Sequence, residues 1–312
     1  SGEGSEDFEI SLKEAHLSNV IISYEDEQLP QRYSGLVKTG TLNGNFSASR
    51  FTLHTDLDLL VNELFVKDFD YAPQNEVQVV VALDIDTENG LYAFREGQLT
   101  IADDEYTVDG SVQEVAKGNE IDISVAGNDI GLRSLLTFIP QKNEMLADFD
   151  SKGNLDFKAV ISGLVSSNSN PHIEVDFNLS DGELTHKKMN KDMRNVSFSG
   201  SFHNGNANSA ATTTLSIPRF EGTLDGKAIS FDLQVKNFEN PILIANADAD
   251  LDFSVLGKVL ETEDFKDLNG AISLQNISIN GRLNDMKRNL TAVAASGDIT
   301  ADGVSFVLFG KP

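Results

Sequence analysis

No cysteine occurs among the 312 residues, which excludes disulfide staples, thiolate nucleophiles and Cys-ligated zinc. Tryptophan is also missing. Cations are scarce: 24 Lys and Arg stand against 49 Asp and Glu, a formal charge of -25. So acidic a chain does not suit nucleic acid, whose phosphates need clustered Lys and Arg, nor a polybasic grip on anionic lipid. Carboxylates on outward strand faces instead keep a sheet protein in solution and discourage edge-to-edge association. No run approaches the roughly 18 apolar residues of a membrane-crossing helix, and the N-terminus lacks a signal-peptide pattern. Ser1-Gly2-Glu3-Gly4-Ser5-Glu6-Asp7 reads as a flexible leader or cloning scar. The expectation is a piece of a longer, membrane-anchored chain.

What the chain does have is alternation. Val77, Val79, Val81, Leu83 and Ile85 recur with period two, as do Ile173, Val175, Phe177 and Leu179, and Ile229, Phe231, Leu233 and Val235. Successive strand side chains point to opposite faces, so each run writes one apolar and one wet face. Some twenty such runs, bounded by Gly, Asn, Asp and Ser, predict many antiparallel strands joined by tight turns. They include 17–24, 41–53, 77–86, 172–180, 183–187, 228–237, 291–300 and 303–309. Two segments break the period. Leu132, Leu135, Leu136 and Ile139 have helical spacing between a candidate cap at Asp129 and a stop at Pro140, and Phe253 to Phe265 is a weaker case. Both read as covers for an end of the sheet.

Polar Gln141-Lys142-Asn143-Glu144 marks a boundary, after which alternation restarts at Leu155, Phe157 and Ala159. The expected division is a leader at 1–7, a β region at 8–145 and a second at 146–312. A faint echo at constant offset relates Leu17-Ser18 to Leu179-Ser180 and supports two related halves.

Motifs for chemistry are absent. His16, His54, His172, His186 and His203 sit in no nucleophile elbow or metal-ligand spacing, and neither Gly-x-Ser-x-Gly nor a phosphate-binding Gly-rich loop occurs. Asp248, Asp250 and Asp252 alternate with Ala247, Ala249 and Leu251, which is the wet face of a strand rather than a calcium loop. The Asn-x-Ser/Thr sequons at Asn45, Asn195, Asn276 and Asn289 lie in turn-like sequence. The expectation is a protein that is not an enzyme and takes no cofactor or metal.

Aromatic content leans to Phe, 19 against five Tyr. Phe has no polar handle and wants a dry surround. With little helix available, either two sheets pack on each other or one sheet curls over its own groove. Periodicity alone fits both.

Several segments resemble AsmA-like domains. Phe8-Glu9-Ile10-Ser11-Leu12 through Leu17-Ser18-Asn19-Val20-Ile21-Ile22-Ser23-Tyr24-Glu25-Asp26 is similar to the start of such a domain, with a strand pair ending in Tyr-x-Asp. Leu135-Leu136-Thr137-Phe138-Ile139-Pro140 resembles the segment before that family's second half. Gly153-Asn154-Leu155-Asp156-Phe157, Gly163 and Pro171 through Gly182 follow its order of glycine, strand, proline, strand and Asp-Gly. Asn195-Val196-Ser197-Phe198 and Phe220-Glu221-Gly222-Thr223-Leu224-Asp225-Gly226 continue it.

This resemblance to the AsmA-like and TamB-like envelope proteins implies the periplasmic part of a Gram-negative protein anchored in the inner membrane by a segment absent here. It implies a mainly β fold: elongated, curved antiparallel sheets of many amphipathic strands, one or two short helices, and an open apolar groove. The function implied is non-enzymatic lipid handling in outer-membrane biogenesis, with phospholipid acyl chains sheltered along the groove and envelope proteins as further partners. Candidate lipid-binding residues are Val77, Val79, Val81, Leu83, Ile173, Val175, Phe177, Leu179, Ile229, Phe231, Leu233 and Val235. The alternative is a structural or adhesin-like β protein that binds protein partners through sheet edges and loops. A glycan-cleaving enzyme with paired carboxylates is the weakest reading.

Overall fold

The computed structural model describes residues 13–26, 31–45, 49–66, 69–70, 75–101, 104–131, 149–186, 191–255, 265–288 and 290–308. Sixteen strands run through them. The first eight are β1 (Glu14–Asp26), β2 (Gln31–Asn43), β3 (Arg50–Val66), β4 (Phe69–Asp70), β5 (Asn75–Asp86), β6 (Leu91–Ile101), β7 (Asp104–Val115) and β8 (Gly118–Gly131). Then follow β9 (Phe149–Val165), β10 (His172–His186), β11 (Lys191–His203), β12 (Thr214–Leu224), β13 (Lys227–Lys236), β14 (Ile242–Asp252), β15 (Phe265–Arg282) and β16 (Ala294–Leu308). A short α-helix, α1 (Leu283–Arg288), and two 3₁₀ turns are also present. The protein is mainly β, as expected from its alternation.

Two compact units divide the chain. Unit 1 holds β1 to β8 and the part of β9 from Lys158 onward. Unit 2 holds β9 up to Phe157 and β10 to β16. Within each unit the strands form an antiparallel meander in which strands pair in sequence order, with only the two-residue β4 lying off the path beside β3. Both meanders are open: among the described residues β1 pairs with β2 alone and β16 with β15 alone.

Local chemistry explains the turns. Leu224 pairs with Lys227 across Asp225-Gly226, whose φ values are 52° and 79°. Two consecutive positive φ angles define the turn whose twist matches a hairpin, and an Asp-Gly pair takes them at low cost. Bulges do the rest. Asn19, Glu96, Asp129, Asp181, Asn195 and Asn276 all have positive φ inside strands; at Glu96, Asp181, Asn195 and Asn276 the ladder also slips by a residue, which bends the strand and swaps which face its next side chains take.

Several sequence expectations change here. The run predicted at 41–53 spans the end of β2 and the start of β3, with residues 46–48 outside the described residues. The segments predicted at 172–180 and 183–187 are one strand, β10, whose Asp181-Gly182 is a bulge rather than a turn. Likewise 291–300 and 303–309 contribute to one strand, β16, through Gly303 at φ 58°. Asp129 caps no helix: it lies in β8 with φ 60°. The remainder of that predicted helix, the 1–7 leader and the 141–148 boundary fall outside the described residues. Of the second predicted helix, residues 253–255 are helical and the rest also fall outside.

Candidate functional site

Side chains directly opposite on paired strands share a face, so the register alone assembles the surface of each unit. In unit 1, Val79 faces Leu57 on one side and Leu99 on the other, and Leu99 in turn faces Tyr106. Val77 lies between Leu59 and Ile101, and Leu83 between Leu53 and Phe94. Val81 sits opposite Thr55 and over the bulge at Gly97. These rows place Val77, Val79, Val81 and Leu83 on one apolar face from β3 to β7. All four are half-buried.

The opposite face of unit 1 is a polar ladder. The Thr39 and Thr52 hydroxyls donate to Asp58 at 2.8 Å and to Asp84 at 2.6 Å. Lys38 pairs with Glu76 at 2.6 Å and Arg50 with Asp86 at 2.8 Å, while Arg95 pairs with Asp84. Hydrogen bonds from Asn89, with Arg50 alongside, hold the Asp86 carboxyl below its usual range. Exposed pairs of this kind add little stability, but they fix which face meets water.

Unit 2 repeats the division with aromatic rings. Phe177 meets Phe198 edge-on at 6.1 Å between centroids, Phe198 stacks on Phe220 at 5.8 Å, and Phe220 stacks on Phe231 at 4.1 Å. This ladder crosses β10 to β13. Beyond it Phe231, Leu233 and Ile229 face Ala247, Ala245 and Ala249 of β14, and those alanines face Ile277, Ile279 and Leu274 of β15. Val175 faces Phe202, which faces Leu215, which faces Val235. At the start of β10 the Ile173 amide donates to the buried Asn204 side chain at 2.9 Å.

The structure therefore brings Val175, Phe177, Leu179, Ile229, Phe231, Leu233 and Val235 onto one face of unit 2. Their exposures differ. Leu179 is 0% exposed, so it is a core residue with no surface to offer a ligand. The other candidates of unit 2 are half-buried. Phe198 and Phe220 lie outside the candidate set drawn from the odd-numbered runs, because bulges near Asn195 and between Ile217 and Phe220 put the apolar face there on even numbers. Paired phenylalanines across consecutive strands are the signal that finds them.

Buried side chains are few: the fully enclosed large ones among the described residues are Ile130, Leu179, Val37 and Val196. A closed two-sheet core buries its inward strand positions almost completely. Here most apolar positions of either face keep part of their surface in contact with solvent. The exception in chemistry is Tyr106, 4% exposed on the apolar face of unit 1. Burial, with the Asp104 charge beside it, pushes its phenol up to about 12.

The carboxylates lie on the other side. Asp248 accepts a hydrogen bond from the Asn276 amide at 2.7 Å and Asp252 from Lys227 at 2.5 Å. A shallow depression on that side is lined by Glu221, Ser230, Asp248, Asp250, Ser273 and Gln275, among others. Among the described residues no group of three His, Asp or Glu is placed to hold a metal ion, and no helix is long and apolar enough to cross a membrane.

The fold thus defines an antiparallel β-meander protein with an amphipathic sheet in each of two units. No protein-family model, curated protein or solved structure matches this chain.

Proposed function

We propose that this protein is a non-enzymatic lipid-handling module that shelters phospholipid acyl chains on the apolar faces of its sheets. The observation that carries this reading is the half-open state of those faces. Val77, Val79, Val81 and Leu83 in unit 1, and Ile229, Phe231, Leu233 and Val235 in unit 2, lie in predominantly apolar rows, with Thr55 opposite Val81, yet keep surface exposed. Contiguous apolar rows that stay half-open to solvent are the kind of surface that marks an interaction site. An acyl chain suits it because these positions carry no polar atom to satisfy, and each methylene taken from water contributes about 0.8 kcal/mol.

The resemblance to AsmA-like and TamB-like domains supports a periplasmic setting, an inner-membrane anchor elsewhere in the protein and a part in outer-membrane biogenesis. Within that setting the sheet shields chains while headgroups stay in water, and envelope proteins are the partners for loading and release.

Native mass spectrometry of the protein purified from a Gram-negative host, followed by lipid extraction, tests the proposal. Copurified phospholipid is expected, reduced several-fold in Val79→Asp and Phe231→Asp variants that retain the β circular-dichroism spectrum. Protein that carries no lipid and takes up no fluorescent phospholipid from vesicles overturns it.

A further inference from the structure

We propose that the outer edge of β1 is a strand-addition site for an extended segment of a different protein, one with Lys or Arg flanking a short apolar run. An edge strand presents a row of backbone N–H and C=O groups that can template another strand, and proteins normally blunt it with charge, proline or bulges. The two edges of this protein differ in how they are treated. β16 carries Gly297, Asp298, Asp302 and Gly303, and its ladder with β15 shifts register three times. β1 holds one register with β2 from Glu14↔Asn43 to Asp26↔Gln31, and the positive φ of Asn19 does not interrupt it.

The middle of β1, Leu17-Ser18-Asn19-Val20-Ile21-Ile22-Ser23-Tyr24, has no charge and no proline. Ile21 is 75% exposed and Ile22 51% exposed, and as neighbours in a strand they project to opposite faces. An added strand covers part of both. Pairing with β1 also extends the sheet by one strand, so the site needs backbone complementarity first and side-chain pockets second.

Charge selects the occupant. The apolar centre is bracketed by Lys13 and Glu14 at one end, with His16 3.3 Å from the Glu14 carboxylate, and by Glu25 and Asp26 at the other, which is the acidic end. A second copy of this chain, itself at -25, is repelled as a whole, and a parallel pairing would also set Glu25 and Asp26 against their own copies, where like charges directly opposite destabilise a ladder. A segment with cationic ends meets Glu25 and Asp26 at one end and Glu14 at the other, and brings no net negative charge of its own.

Titration of the full chain with the synthetic peptide Lys-Lys-Thr-Val-Thr-Ile-Thr-Val-Lys-Lys, read by fluorescence anisotropy and by amide hydrogen exchange, tests the site. Saturable binding is expected, with exchange over residues 17–24 slowed about tenfold or more and exchange in β16 unchanged. Ile21→Lys, a change at an exposed side chain, should weaken binding about tenfold while leaving exchange in β5 as it was. Absence of saturable binding, equal binding of the peptide with Glu in place of each Lys, or protection away from β1 overturns the proposal. So does sedimentation showing a dimer of this chain with β1 already protected.

Discussion

Phe220 on β12 and Phe231 on β13 stand directly opposite one another, with ring centroids 4.1 Å apart and planes inclined by 12°. The pair sits at the centre of the unit 2 apolar face, and the two rings differ in exposure. Phe220 is 6% exposed, whereas Phe231 is half-buried. Phe220→Ala is therefore expected to cost about 3 kcal/mol and Phe231→Ala about 1–2 kcal/mol, since the cost of truncating a ring grows with how completely its neighbours enclose it. Urea unfolding followed by hydrogen exchange in β12 to β14 measures both. Equal costs would mean that exposure does not rank the ladder.

Gly110 in β7 has φ 137°, and a β-carbon there would lie 2.0 Å from the Asp122 carbonyl oxygen of β8. Gly110→Ala is expected to cost about 3 kcal/mol, combining a backbone region reserved for glycine with a clash against main chain. Gly226→Ala is the comparison. Its φ of 79° is also positive, but open space surrounds it, so about 1 kcal/mol is expected. Thermal melts of the two variants should separate clearly.

The Tyr106 phenol, ordinarily at 10, is held up to about 12 in the folded protein by burial first and by Asp104 second. The neutral ring is favoured in the fold, so its contribution is intact below pH 10. As pH rises from 10 to 12 the unfolded chain ionises first, and stability falls across that window. Tyr106→Phe should flatten this part of the urea midpoint against pH, while Tyr92→Phe should leave most of it in place.

The strands were legible where alternation and parity agree. β5 follows its odd-numbered apolar residues from Val77 to Ile85, and β13 follows Ile229 to Val235. Parity fails at bulges. Leu215 and Ile217 share a face with Phe220 and Gly222 only because the ladder slips between Ile217 and Phe220, and a period-two reading has no means of counting that extra residue. Asp181-Gly182 has the composition of a turn yet continues β10, since the same positive φ serves a hairpin or a bulge. The beginning of β14 was hidden for another reason. Ile242-Leu243-Ile244 is apolar without alternation, and only pairing with Lys236 to Gln234 shows it to be strand. Of the candidate surface, the aliphatic rows were readable in advance. The Phe198–Phe220 stack required the register, as did the enclosure of Leu179.

The sequential order of pairing has a consequence for how the protein is made. Every ladder in the two meanders joins strands that are close along the chain, so each new hairpin adds to an edge already formed and closes only a short loop. Folding can then advance in the direction of synthesis, and a nascent segment need not wait for a distant strand before its hydrogen bonds are met. By the same logic, two further strands can be inserted at one hairpin without re-pairing any other, so the length of the sheet is a quantity that evolution can adjust in steps.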